Sequence, residues 1–186
     1  MNEVLKTIAE RSSIRKYKEK SLTAEQIETL VRAGLQAPTA KNMQEIHISV
    51  IDGSNPILAE IEEERRRIVL AESDENGKEA ILKNKNNFYY GAPLVLMLSV
   101  DKDFYWSKLD AGISVENISL AAQSMGLGSL IIGVIRKAME GEKKEHFASV
   151  CQFPENYEFA ICVAVGYKDT EKEPHSIHME ESVSYI

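Results

Sequence analysis

Apolar positions along this chain recur with two different periods. Val4, Leu5 and Ile8 predict a short first helix that ends near Arg11-Ser12-Ser13. Thr23-Ala24-Glu25-Gln26 has the capping-box form, in which a hydroxyl and an amide satisfy backbone donors left over at a helix start. Ile27, Leu30, Val31 and Leu35 then share one face until Pro38. Ile46 to Ile51 alternates and is β-branched, so it predicts a strand ending at Asp52-Gly53. Asn55-Pro56 fits the cap and first residue of another helix. Within that helix the run from Glu62 to Arg67 sets each acid three residues before a base and reads as a solvated face.

Residues 71–90 are polar and rich in Asn and Lys, and their period does not choose between a second helix and a mobile excursion. Pro93 to Val100 is a continuous apolar run of strand length, which implies burial on both faces. From Asp110 to Met125, apolar or small residues cover more than one helical face, so this helix is buried by its own core or by a partner chain. Gly126-Leu127-Gly128 ends it, Leu130 to Ile135 reads as a strand, Lys137 to Val150 as a helix, and Phe159 to Val165 as a buried strand. The tail from Tyr167 has no core period. Helices and strands intermingle without strict βαβ repetition, which predicts one α+β domain over residues 1–186, a sheet between helical layers.

The 186 residues, 44% apolar and 27% charged, suffice for one core and exclude disordered and fibrous classes. No apolar run approaches the roughly 20 residues needed to cross a bilayer, and the first residues lack a signal-peptide block, so a cytoplasmic protein without a membrane partner is expected. Cys151 and Cys162, both beside apolar neighbours, read as packing residues and not as a disulfide framework. A net charge of −7 argues against nucleic acid as a partner. Residues 11–20 break that trend with five bases against one acid. Composition alone leaves this basic island as a solvated segment or an anion site.

Familiar motifs fail on context. The glycines of Gly126-Leu127-Gly128 close a helix and open a strand, the reverse of a dinucleotide fingerprint. Val134 stands where a P-loop lysine would be needed after Gly128 and Gly133. His175 and His178, with Glu180 and Glu181 behind them, lack the rigid element and third ligand of a zinc site, so no metal is expected. No G-x-S-x-G elbow is present.

Arg11-Ser12-Ser13-Ile14-Arg15-Lys16-Tyr17, followed by the capped helix and then Ala37-Pro38-Thr39-Ala40-Lys41-Asn42-Met43-Gln44, resembles the opening of the FMN-dependent nitroreductase family. Gly91-Ala92-Pro93, Asp110-Ala111-Gly112, Met125 to Ser129 with Gly133, and Ala164-Val165-Gly166-Tyr167 continue the resemblance in order over about residues 1–170. Each motif alone is weak; their order carries the assignment.

The resemblance implies a three-layer α+β sandwich with an antiparallel-rich sheet, assembled as an intertwined homodimer with two shared FMN sites. It also implies ping-pong transfer from NADH or NADPH through FMN to an electrophilic small molecule such as a nitroaromatic or quinone. No side chain need act as a nucleophile, since the flavin carries the redox step. Arg11, Ser13 and Arg15, with Ser12 beside them, would hold phosphate, ribityl chain and ring edge, which gives the basic island a purpose. Pro38, Thr39, Asn42 and Gln44 would approach from the other subunit, and Ile132 and Gly133 would lie beside the ring, where a missing side chain lets backbone come close. Two departures stand out. Glu45-Ile46 replace the family's usual Pro-Trp after the glutamine, and Pro174-His175-Ser176-Ile177-His178 stands where the family often has Lys or Arg for the phosphate. A flavin-binding or sensing protein without turnover is the competing reading.

Overall fold

The computed structural model describes residues 1–83 and 87–186. In chain order the elements are α1 (Glu3–Glu10), α2 (Ala24–Leu35), a 3-10 turn (Ala40–Asn42), β1 (Ile46–Asp52), α3 (Pro56–Glu72), α4 (Glu75–Lys83) and β2 (Leu94–Asp101). They continue with α5 (Ser107–Ser124), β3 (Leu127–Ile132), α6 (Arg136–Met139), α7 (Lys144–Val150), β4 (Tyr157–Tyr167) and α8 (Met179–Ser182). Of the 71–90 segment, residues 75–83 form α4, while 84–86 lie outside the described residues.

The sheet order is β1-β2-β4-β3, and every neighbouring pair is antiparallel. Register sets Ile51 opposite Val95, Met97 opposite Cys162, and Leu130 opposite Ala164. Those six residues point into one core, which α3, α6 and α7 close with Ile57, Ile61, Met139 and Phe147. The alternate positions Leu94, Leu96, Leu98, Leu127, Val163 and Val165 point into a second core, closed by Leu30 of α2 and by Ala111, Val115, Ile118 and Ala122 of α5. A period of two along β2 and β4 therefore builds two cores and three layers at once.

Local rules hold where the sequence named them. Thr23 and Gln26 form the reciprocal capping box, and the Asn55 side chain accepts from the Ile57 amide ahead of Pro56. The expected strand at 130–135 instead spans 127–132. Gly126, at φ 72°, reverses the chain directly after α5, so pairing with β4 begins at once, and Gly133 to Ile135 turn into α6. The expected helix at 137–150 is two helices, α6 and α7, separated by residues 140–143. The helix expected from Asp110 starts a turn earlier, at Ser107.

The Glu62 to Arg67 run is not a uniformly solvated face. Glu64 is 1% exposed and takes hydrogen bonds from Arg67 Nε at 3.0 Å and Nη2 at 2.7 Å, with Lys143 Nζ at 3.1 Å. Glu62 accepts the Phe88 amide, which ties α3 to the turn before β2. Hydrogen bonds from Arg67, joined by Lys143, outweigh burial and hold the Glu64 carboxyl down to about 2. Because this value is depressed, its contribution to stability is present above the ordinary carboxylate value and is lost as pH falls toward about 2.

Glu64→Gln should lower unfolding free energy at pH 7 by about 1–2 kcal/mol, modest because Arg67 and Lys143 can return to water. Urea titrations at neutral and acid pH check this: the difference between variant and wild type should shrink as acid protonates Glu64 in the wild type.

Candidate functional site

Residues 11–18 run extended along the outer edge of β3 and across to the end of β4. Ser13 forms a parallel bridge with Ser129, Ile14 N donates to Ser129 O at 2.9 Å, and Lys18 N donates to Tyr167 O at 2.9 Å. Burial alternates along this segment: Ser12 and Ile14 are buried, whereas Arg11 and Ser13 are partly exposed and Arg15 is exposed. The alternation places Arg11, Ser13 and Arg15 on one side. Close approach depends on Gly128, where an added Cβ would come within 2.8–3.0 Å of the Ile14 side chain.

A cleft of about 500 Å³ opens beside this segment, within the range that holds small ligands. Arg15 lines it together with Leu130 to Val134 at the end of β3. A Cβ on Gly133 would meet nothing within 4 Å, so the backbone there faces open space. The opposite wall holds Arg65 and Arg66 of α3, then Phe88 and Tyr90. The Arg65 guanidinium lies 4.6 Å from the Phe88 ring centre, its Nε is buried without a hydrogen-bond partner, and burial then Arg66 lower its pKa. Arg66 Nη1 donates to Ile81 O at 2.9 Å. In a chain of net −7, three guanidinium groups around one cleft form an anion-attracting wall.

Of the residues expected at a site, Arg15, Ile132 and Gly133 share this cleft. Arg11 sits at the start of the same extended segment with its Nε 3.6 Å from Glu116 of α5. Ser12 faces the other way, its hydroxyl donating to Lys172 O at 3.1 Å beside a smaller cavity that Lys168 and Lys172 also line. Pro38, Thr39, Asn42 and Gln44 are not in the cleft. They belong to a loop with Lys41, Asn42 and Gln44 all at φ between 52° and 56°, a left-handed backbone that residues with side chains rarely take. Gln44 N donates to Thr39 Oγ1 and Ala40 N to Asp110 Oδ2, each at 2.9 Å, so the loop is closed on itself and tied to α5. In the tail, His178 Nε2 lies 3.3 Å from Ser176 Oγ, both exposed; neither His175 nor His178 lines the cleft.

Cys151 and Cys162 are buried, as their neighbours foretold. Burial pushes the Cys151 thiol up to about 11 and raises Cys162 further, so neither is a thiolate at neutral pH. Cys162 Sγ donates to Ile132 O at 3.4 Å and buttresses the end of β3 from below. Among the described residues, no three His, Cys, Asp or Glu side chains come together as a metal site, and no helix is long and apolar enough to cross a membrane.

Arg65, Arg66, Phe88 and Tyr90 were missed as site residues by sequence reasoning. The Glu-Arg spacing of α3 has the form of a solvated salt-bridge ladder, and only packing shows which of its arginines turn inward. The periodic signal that was available is the apolar stripe Ile57, Leu58 and Ile61, which orients the helix.

The chain is thus an α+β protein in which an antiparallel sheet lies between helical layers and a basic extended segment runs along its edge beside an arginine-lined cleft. The sequence profile described as the Nitroreductase family matches residues 8–167, and the chain belongs to that family. It is 30% identical over 182 residues to the FMN reductase (NADPH) of Bacillus subtilis, covering 90% of this chain and 66% of that protein. It is 28% identical to the NADPH-flavin oxidoreductase of Vibrio harveyi, covering 93% of this chain and 69% of that one. Among solved structures, a nitroreductase with bound FMN from Desulfitobacterium hafniense superimposes with a TM-score of 0.89 at 30% identity, over 100% of this chain and 99% of the other. A nitroreductase with bound FMN from Bacteroides fragilis gives 0.86 at 26% identity, with both chains fully covered.

Gly128→Ala should force Ile14 off β3. A loss of about 1–3 kcal/mol in unfolding free energy is expected. Amide exchange at Ile14, slow in the wild type because of its bond to Ser129 O, should accelerate more than exchange at Met97 in the sheet centre.

Proposed function

We propose that this chain is an FMN-dependent oxidoreductase that passes electrons from NADH or NADPH to an electrophilic small molecule such as a nitroaromatic or quinone. The observation that carries this reading is the cleft in which Arg15 and the side-chain-free backbone of Gly133 face one cavity of about 500 Å³. The residues present fit the cofactor. Arg11, Ser13 and Arg15 supply charge-assisted and hydroxyl donors along one side of an extended segment, Ile132 and Gly133 supply an apolar floor and open backbone, and Ser12 anchors the tail beneath them. FMN held there by Arg11, Ser13 and Arg15 would supply the two-electron redox chemistry between nicotinamide and acceptor.

The chain's own contribution is to bind, orient and exclude. Arginines in the cleft favour an anion and a ring edge that gains electron density, since they carry permanent charge. The buried end of β3, held by Ile132 O and Cys162 Sγ, gives the floor a fixed shape. No protein nucleophile is needed, and both cysteines are buried thiols in keeping with a reducing cytoplasm.

A homodimer completes the site in this reading. Val4, Leu5 and Ile8 of α1 are at least half exposed, Leu109 of α5 and Leu35 of α2 more so than half, and an apolar groove along α2 is lined by Ala24, Ile27, Val31 and Leu35. Such surface is what a large subunit contact covers. The 38–44 loop, which does not line its own cleft, is then available to the partner's, and Pro38, Thr39, Asn42 and Gln44 reach FMN across the interface.

The purified protein should carry the absorbance spectrum of FMN and scatter light as a dimer; a folded monomer with full FMN occupancy would refute the shared site. Arg15→Ala and Asn42→Ala should each weaken FMN binding by about tenfold to somewhat more than a hundredfold without unfolding the protein, since each removes a contact worth roughly 1.5–3 kcal/mol. FMN titration followed by fluorescence quenching reads this. Acceptor-dependent oxidation of NADH or NADPH separates turnover from a flavin-binding or sensing role, which would hold FMN yet show no such rate.

A further inference from the structure

Glu45 closes the 38–44 loop and immediately precedes β1. Only 6% of its surface is exposed, and both of its carboxyl oxygens are buried without a hydrogen-bond partner. An ionised carboxylate so placed loses hydration that its own backbone N–H only partly offsets. Its neighbour is Asp110, on the first turn of α5 and 3% exposed, whose carboxyl lies within hydrogen-bonding reach of Glu45. Asp110 Oδ2 also accepts the Ala40 amide at 2.9 Å, the bond that ties the loop to the helix.

Two buried carboxyls in contact repel when both are ionised, and one proton between them converts the repulsion into a charge-assisted O–H···O bond. Among the described residues, the charged groups that act on Glu45 are acids. Asp101 at the end of β2 is an acid, and Tyr157 at the start of β4 has its phenol raised by burial and by Asp101 and Glu45. His47, two residues along β1, has its pKa lowered by burial and its Nδ1 lies 3.4 Å from Ser99 Oγ. Lys108 of α5 is engaged with Glu158 at 2.7 Å and Glu140 at 3.8 Å.

We propose that Glu45 keeps a proton and donates it to the Asp110 carboxylate, and that this pair is the clasp that holds the 39–44 loop, with Asn42 and Gln44, in the shape it needs to meet the cofactor. The inference rests on the reading above that this loop reaches FMN. Glu45 is a positioning residue: it acts through Asp110 and Ala40 and touches no reacting atom. Burial raises its carboxyl above the ordinary range; its own backbone N–H opposes this, and Asp110 and then Asp101 add to it. With a raised value, the clasp is intact at acid pH and its contribution is lost as pH rises through that value. FMN affinity should fall in the same direction.

The test has two arms. In the first, FMN is titrated into wild type, Glu45→Gln and Glu45→Ala from about pH 5 to about pH 9. Wild-type affinity should drop by about tenfold or more toward alkaline pH. Glu45→Gln, which donates without titrating, should keep the acid-side affinity throughout, and Glu45→Ala should be weak throughout. In the second, infrared difference spectra of FMN-free wild type minus Glu45→Gln at pH 6 should show the carbonyl stretch of a protonated carboxylic acid. A wild-type profile without an alkaline fall, or Glu45→Gln falling in parallel with wild type, overturns the proposal. So does absence of the infrared band, as when the partner subunit supplies a cation that keeps Glu45 ionised. If FMN fails to bind at every pH, the functional reading falls, and the infrared band still decides the proton. If Glu45→Ala does not fold, the Gln profile and the band decide it.

Discussion

Burial of β2 and β4 on both faces is the constraint from which the rest of the molecule follows. A strand buried on both faces must have a layer above and a layer below, so the helices are divided into two sets. Once α3, α6 and α7 take one face and α2 and α5 the other, β1 and β3 are left as the edges of the sheet. An edge strand presents unpaired backbone groups. In this chain the edge of β3 is met by residues 11–18, and the contact that satisfies Ser129 O also delivers Arg15 to the cleft. The candidate site is therefore a consequence of how the sheet is finished.

Charge is distributed to match. The chain is acidic as a whole, yet its cleft collects Arg15, Arg65 and Arg66 from two segments some fifty residues apart in sequence. Elsewhere on α3 the same Glu-Arg run has a structural use. Glu64 is buried beneath Arg67 and Lys143, and Glu62 fastens the turn that carries Phe88. Neighbouring residues on one helix thus serve packing, ion pairing and the cleft, depending on which layer each side chain meets. The 39–44 loop shows a related economy, with one buried carboxylate of α5 fixing an otherwise unfavourable backbone.

The local grammar of this sequence was sufficient for most elements. The capping box at Thr23, the Asn55-Pro56 start, the apolar run at 93–100 and the family motifs in order all depend on residues close together in the chain, and local hydrogen bonds and side-chain period act at that range. They determined the α+β class and the family; of the residues that the resemblance implied as cofactor contacts, Arg15, Ile132 and Gly133 line one cleft. Boundaries at Leu127 and Ser107 slipped because strand pairing and helix packing, not local propensity, decide where an element begins.

Only tertiary structure decided the remainder. Which arginines of α3 turn inward, which serine of Ser12-Ser13 faces the tail, and that Glu45 is buried against Asp110 are set by contacts between residues far apart in sequence. A side chain's chemistry is written in the sequence, but its solvation is not. Whether a carboxylate is a solvated surface charge or a buried partner depends on what the folded chain brings against it, and for Glu64 and Glu45 that was decided by Lys143 at the cap of α7 and by Asp110 of α5.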